Sequence, residues 1–195
     1  MKAIRAIFVM MILSFSSHSF AQEIAVKTNL LYGGLTLTPN LGAEIGLSDK
    51  YTLDIAGGYN PWHRKGSLTD NKKLVHWLAQ AEGRYWFCQK FNGHFVGVHL
   101  LFSQYNISEH NLRWLFGKNA KDYRFEGNAM GGGISYGYQW ILSSRWSVEA
   151  TLGVGYARLW YDKYECNKCG EKLGKDHRNY FGPTRAGVSI IYIIK

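Results

Sequence analysis

The sharpest chemical motif in the chain is Cys166-Asn167-Lys168-Cys169-Gly170. Two thiolates at that spacing can share a tetrahedral metal ion, as in half of a zinc knuckle, but a full site needs two more ligands and His177 offers one. A redox role would call for a thioredoxin-like βαβ setting, which the surrounding pattern lacks. The favoured reading is a local disulfide between Cys166 and Cys169, formed in an oxidising compartment. A shared metal ion and two free thiols are the alternatives. Cys88 stands apart from both and reads as an unpaired thiol.

The histidines offer less. His63, His76, His110 and His177 fall on or beside expected loops, with no helical i, i+4 pair to grip a metal. His99 sits on the inward face of an expected strand, where it could act as a base, although a hydrogen-bonded interior histidine is the simpler reading. Ser103 is four residues further along, about 13 Å away on a strand, too far for a nucleophile–base hydrogen bond. No catalytic, cofactor-binding or metal constellation emerges, and no cofactor is expected.

A third grouping appears only once the strands are laid out. The chain alternates with a period of two almost throughout, as in Trp146-Ser147-Val148-Glu149-Ala150-Thr151-Leu152. Eight such segments are expected, near 24–33, 38–47, 51–60, 75–88, 94–105, 124–140, 146–160 and 181–194. One face is aliphatic. The other gathers Lys27, Glu44, Asp54, Glu82, Arg84, Glu149 and Arg185, with Gln80 and many glycines. Three cations facing four anions in a narrow lumen can pair with one another, whereas each unpaired charge would cost several kcal/mol.

Short connections (48–50, 89–93, 142–145) alternate with long ones near 61–74, 106–123 and 161–180, so the long loops share one rim. Aromatics collect near strand ends, and Pro39, Pro61 and Pro183 are expected at strand ends on the long-loop rim. A wall that is oily outside and ionic inside, with tight turns at one end, fits an all-β, eight-stranded antiparallel up-and-down transmembrane β-barrel. Eight strands leave room for side chains but not for a solute channel, so the barrel is expected to be plugged.

Composition agrees with a folded chain. Of 195 residues, 46% are hydrophobic and 19% charged, which excludes a disordered polymer. The start, Met1-Lys2-Ala3-Ile4-Arg5 and then an apolar run ending Ser19-Phe20-Ala21, reads as a secretory signal peptide over residues 1–21. The mature unit would be residues 22–195, delivered to an outer membrane. The formal charge of +9 includes Lys2 and Arg5, so the mature unit carries +7. Its loops are basic, with Arg64, Lys65, Lys118, Lys121, Lys168 and Lys175 among them. They suit lipopolysaccharide phosphates or plain solvation, and no nucleic acid is expected as a partner.

Several stretches also carry a resemblance. Lys27-Thr28-Asn29-Leu30-Leu31-Tyr32, Gly57-Gly58-Tyr59-Asn60-Pro61-Trp62, Glu82-Gly83-Arg84-Tyr85-Trp86-Phe87 and Tyr180-Phe181-Gly182-Pro183-Thr184 are similar, in order, to the outer-membrane proteins of the domain-of-unknown-function family 3575. The resemblance implies an outer-membrane barrel like the small OmpA and OmpX barrels but no mechanism, and the role expected here is that of a non-enzymatic envelope structural or surface-interaction protein. It also implies a link to fimbrial or other envelope proteins, while outer-membrane lipids and lipopolysaccharide are the partners expected from the oily wall and basic loops. A barrel enzyme acting on lipid A or peptides is the alternative.

Overall fold

The computed structural model describes residues 23–62, 72–110, 113–116, 120–165 and 170–194. The expected signal peptide lies outside these residues, as do Cys166 and Cys169. Eight antiparallel strands follow in chain order: β1 (Ile24–Asn29), β2 (Asn40–Gly46), β3 (Tyr51–Asn60), β4 (Lys73–Trp86), β5 (Gly93–Ser108), β6 (Tyr123–Ile141), β7 (Trp146–Glu165) and β8 (Lys172–Ile194). Each pairs with the next, and β1 pairs with β8 from Ile24 opposite Ile194 to Asn29 opposite Ser189, closing the sheet into a barrel.

Closure is confined to the lower part, toward the short turns. β1 and β2 have 6 and 7 residues, against 20 and 23 in β7 and β8. Between Lys172 and Val188, β8 is laddered to β7 alone among the described strand pairings. The expectation of eight comparable strands in a complete up-and-down barrel is therefore corrected. The lower wall is a ring of eight, while β4 to β8 continue upward as a curved, open-sided sheet. The free upper edge of β8 carries Lys172, Lys175 and Pro183, the residue types that discourage further strand pairing.

Local chemistry explains the departures from the expected segments. The first strand does not run to residue 33, because the Asn29 side chain accepts a hydrogen bond from the Leu31 amide at 3.0 Å and caps the helix α1 (Leu30–Thr36). Leu37, at φ 53°, ends that helix in the left-handed region. The long loop expected at 161–180 is mostly strand. Pro183 is not at a strand end either. It lies inside β8 at a register shift, where Gly153 faces Arg185 and Val154 faces Pro183. A bulge absorbs a residue without a ladder donor. It also leaves Thr184 and Arg185, adjacent in sequence, both facing inward.

The lumen is layered. At the bottom Trp86, Phe95 and Phe91 pack together with Ala25 and Ile191 close by, and all five are buried. Phe91 reaches this site from the 87–92 turn at φ 60°, a strained conformation offset by burial of its ring. The ion layer lies above. Higher still, Tyr105, Ile107, Phe125, Ala129, Leu159 and Tyr161 form an apolar cluster covered by Phe116 of α2 (Arg113–Phe116). Phe116 stacks on Phe125 at 4.2 Å between centroids. The lumen, expected to be polar along its length, is polar only in a layer between two apolar ones.

Closure can be checked chemically. Thr28 and Ile190 face each other across the β1–β8 seam, close enough for a disulfide. In a background freed of Cys88, Cys166 and Cys169, oxidised Thr28→Cys/Ile190→Cys should form an internal crosslink that shifts the denatured protein on a non-reducing gel. The Thr28→Cys/Ile191→Cys pair, whose side chains face opposite sides, should not.

Candidate functional site

Six strands deliver seven charged side chains to one lumen layer. Glu44 comes from β2, Asp54 from β3, Glu82 and Arg84 from β4, Glu149 from β7, Lys27 from β1 and Arg185 from β8. Alternation turns each inward. None is more than 9% exposed, so water does not solvate them.

Arg84 is the hub. Its Nε donates to Glu82 Oε2 at 2.6 Å, its Nη1 to Glu44 Oε2 at 2.8 Å and Glu149 Oε2 at 2.7 Å, and its Nη2 to Asp54 Oδ2 at 3.1 Å. The planar fork of a guanidinium can serve four carboxylates at once, which a lysine ammonium could not do in this plane. Below it, the Phe95 ring lies 4.3 Å from the guanidinium carbon. Lys27 Nζ bridges Glu44 and Asp54, each at 2.9 Å. Arg185 Nη2 joins Asp54 at 2.5 Å and Glu82 at 3.3 Å.

One anion is in excess, and hydroxyl groups share the load. Thr52 donates to Glu44 at 2.5 Å, Thr151 to Glu149 at 2.6 Å, and Ser135 to Glu82. Two glycines make the room. A Cβ at Gly97 would stand 2.8 Å from Glu82 Oε1, and one at Gly153 would stand 2.9 Å from the His99 ring. The space left beside the cluster, toward Tyr32 of α1, is about 30 Å³, roughly one water. The layer is a seal.

His99 is fully buried at the top of the seal, with Nε2 2.8 Å from Thr184 Oγ1. An imidazole beside an alcohol has the outline of a base and nucleophile. However, His99 Nδ1 meets no hydrogen-bond partner, so the orienting group that such pairs depend on is not among the described residues. Sequence reasoning placed His99 inward but missed Thr184, because regular alternation turns it outward and only the bulge brings it in. Ser103, the other hydroxyl considered, donates to the Trp77 carbonyl at 2.8 Å. Cys88 is exposed and has no disulfide partner among the described residues. No group of three or more metal-ligating side chains occurs among the described residues.

A family model described as a protein of unknown function, DUF3575, matches residues 6–194. The chain belongs to the DUF3575 family. No curated protein matches it. The DUF3575 description names no activity, and neither it nor the open-sided upper wall carries the further likeness to OmpA and OmpX. The role as an envelope structural protein tied to fimbriae, and its alternative of an enzyme acting on lipid A or peptides, are withdrawn for the same reason. No helix among the described residues is long and apolar enough to cross a membrane, a fact that says nothing of strands.

The hub invites a charge-balance test. Arg84→Met leaves four buried carboxylates to two cations and should cost about 3–5 kcal/mol of folding stability, the usual penalty for removing one partner of a buried ion pair. Adding Glu149→Gln restores the wild-type net charge of the layer and should recover a good part of that loss. Urea unfolding followed on gels of unheated samples measures both.

Proposed function

We propose that the lower wall is seated in an outer-membrane bilayer, with the upper sheet standing in water above it. The observation that carries this reading is a reversal of polarity along single strands. On the lower part of β7 the outward side chains are Val148, Ala150, Leu152, Val154 and Tyr156, while Glu149 and Thr151 face inward. From Arg158 upward the order is exchanged, with Arg158 and Asp162 outward on either side of Trp160, and Ala157, Leu159 and Tyr161 inward. β6 repeats it: Ile134 is 65% exposed and Ser135 buried below, while Glu126 is exposed and Phe125 buried above. A sheet with an oily exterior over an ionic core suits lipid. A sheet with a polar exterior over an oily core suits water.

The height of the oily zone supports the same reading. Aromatic residues bracket it, with Tyr51 and Tyr59 on β3 and Trp146 and Tyr156 on β7, all about half exposed. Eight to ten residues span about 27–34 Å along a strand, which a tilt of roughly 40° reduces to about 21–26 Å, close to the apolar band of membrane barrels. Between these rows Leu41, Ile55, Val98, Leu100 and Leu152 are each more than half exposed. The partners of this surface are membrane lipids, and the exposed cations Arg158, Lys172 and Lys175 above it suit the phosphates of lipopolysaccharide.

In this reading the protein is neither a pore nor an enzyme. The ion layer blocks conduction, and the buried His99–Thr184 pair lacks an orienting partner among the described residues. What the arrangement can do is hold an oily, partly enclosed chamber just above the bilayer without opening a path for ions.

In the cysteine-free background, a fluorophore on Leu152→Cys should be quenched by bromine on phospholipid tails, and one on Arg158→Cys should not. A membrane-impermeant maleimide should label Arg158→Cys and spare Leu152→Cys. Equal labelling at both positions, with the protein recovered in the aqueous fraction, would overturn the reading.

A further inference from the structure

We propose that the upper lumen is a binding site for a single acyl chain, such as that of a fatty acid or a one-chain lipid. A cavity of about 350 Å³ lies between the ion layer and α2, within the range of roughly 300–1,000 Å³ typical of small-molecule sites. Its walls are mostly hydrocarbon, with Leu74, Leu101, Ile107, Leu115, Ala129 and Leu159 foremost. Thr184, held by His99, lies at its floor.

Its shape selects a chain over a compact molecule. On β5 the lining side chains run from Leu101 through Ser103 and Tyr105 to Ile107, about 20 Å along the strand. A modest volume drawn out over that length is a slot. The slot also contains a directed contact. The Tyr105 hydroxyl is buried and has no hydrogen-bond partner among the described residues, although a buried phenol ordinarily has one. An oxygen of a ligand's head group would supply it.

The open side of the upper wall provides the route. β4 and β8 both contribute to the slot, through Leu74 and Tyr180, but they are not laddered to each other. α1 lies at this gap, touching β8 on one side. Its end is held on the other side by Asn60 of β3, which donates to the Thr36 carbonyl at 2.8 Å. Leu35 and Leu37, 79% and 65% exposed, line a second cavity of about 180 Å³ that shares Leu74 with the slot. Leu74 thus separates the slot from an outer cavity of mixed lining, with Leu35, Leu37 and Trp62 beside Thr36, Asn60, Lys72 and His110, and a chain entering from the outside would pass it. Only this route, and not the site itself, rests on the bilayer seating proposed above.

The full chain in phospholipid vesicles can be irradiated with a twelve-carbon fatty acid carrying a diazirine at its tail, and the adducts mapped by peptide sequencing. Adducts are expected at inward Leu101 and Leu159, saturable by unlabelled dodecanoic acid. Outward Leu100 and Leu152 should carry adducts that do not saturate. Filling the slot with Ala129→Trp should lower the inward adducts by at least about tenfold, a change of 1.4 kcal/mol in occupancy, and leave the outward ones unchanged. Ala157→Trp fills the same slot and serves if the first variant fails to fold. Tyr105→Phe should weaken the saturable labelling a few-fold. Inward residues without adducts, or inward labelling that persists in a folded filled variant, would overturn the site. Inward adducts without outward ones would keep the site and reject the bilayer seating.

Discussion

Every part of the lower barrel answers to one constraint: seven charges share a lumen that admits about one water. Their net gain over an apolar filling is small, since desolvation takes back most of what pairing returns. What they enforce is register. A slip of one residue in β1, β2, β3, β4, β7 or β8 would carry a charge from the lumen to the outer wall and leave its partners unmatched. Arg84 couples these choices, because its guanidinium touches carboxylates from β2, β3, β4 and β7 together. Closing the ring and pairing the ions are thus one event. β5 and β6 supply none of the seven. They contribute space, through Gly97, and the hydroxyl of Ser135.

The same strands then obey the opposite rule a few residues higher. Charged side chains can face inward only where they find counter-charges, and aliphatic side chains can face outward only where water is excluded. β7 meets both conditions below Tyr156 and neither above Ala157, so its inside and outside exchange character without any break in the ladder. The β8 bulge lies at this level. By turning Thr184 and Arg185 inward side by side, it lets one strand end the ion layer and begin the oily one. Regular pleating would have sent one of them to the exterior.

The lower barrel was legible in the sequence because one signal, alternation, specifies both strand and face. Lys27, Glu44, Asp54, Glu82, Arg84, Glu149 and Arg185 could be grouped by parity alone, without knowing which strands adjoin. Parity failed where the backbone breaks its period. Asn29 caps a helix where the apolar pattern continues to read as strand, and the bulge at Pro183 reverses the faces of the upper part of β8. It also failed where alternation persists but its meaning changes. Leu159 and Tyr161 lie on the face that carries Glu149 and Thr151, and no local feature marks the point at which that face stops being polar. The length of β7 and β8 was underread because the segment 161–180, rich in Lys, Asn, Asp and Gly, has a loop's composition. Its strands form because each is the other's partner from Tyr161 opposite Asp176 up to Tyr164 opposite Lys172, a tertiary pairing that composition does not record.

The sealed and the hollow halves follow from one geometry. Strand number fixes the girth of a small barrel, so the filling at each level depends on side-chain length. In the ion layer, arginine, lysine and glutamate reach the axis from opposite walls, and the wall must shed its own bulk to admit them. Gly97 and Gly153 stand where a single Cβ would collide with Glu82 or His99. Above the layer the wall mixes rings that pack under α2 with short residues beside the cavity. Ala129, Ala157 and Leu101 extend far enough to exclude water chemically but not far enough to meet across the lumen. Phe116 and Leu115 restore contacts over Phe125 and Tyr161, but where the walls do not meet, along the cavity, the dispersion contacts are forfeited. The upper sheet is therefore the part of the molecule with most to gain from an oily guest, and the absence of β1 and β2 at that height leaves its side open to one.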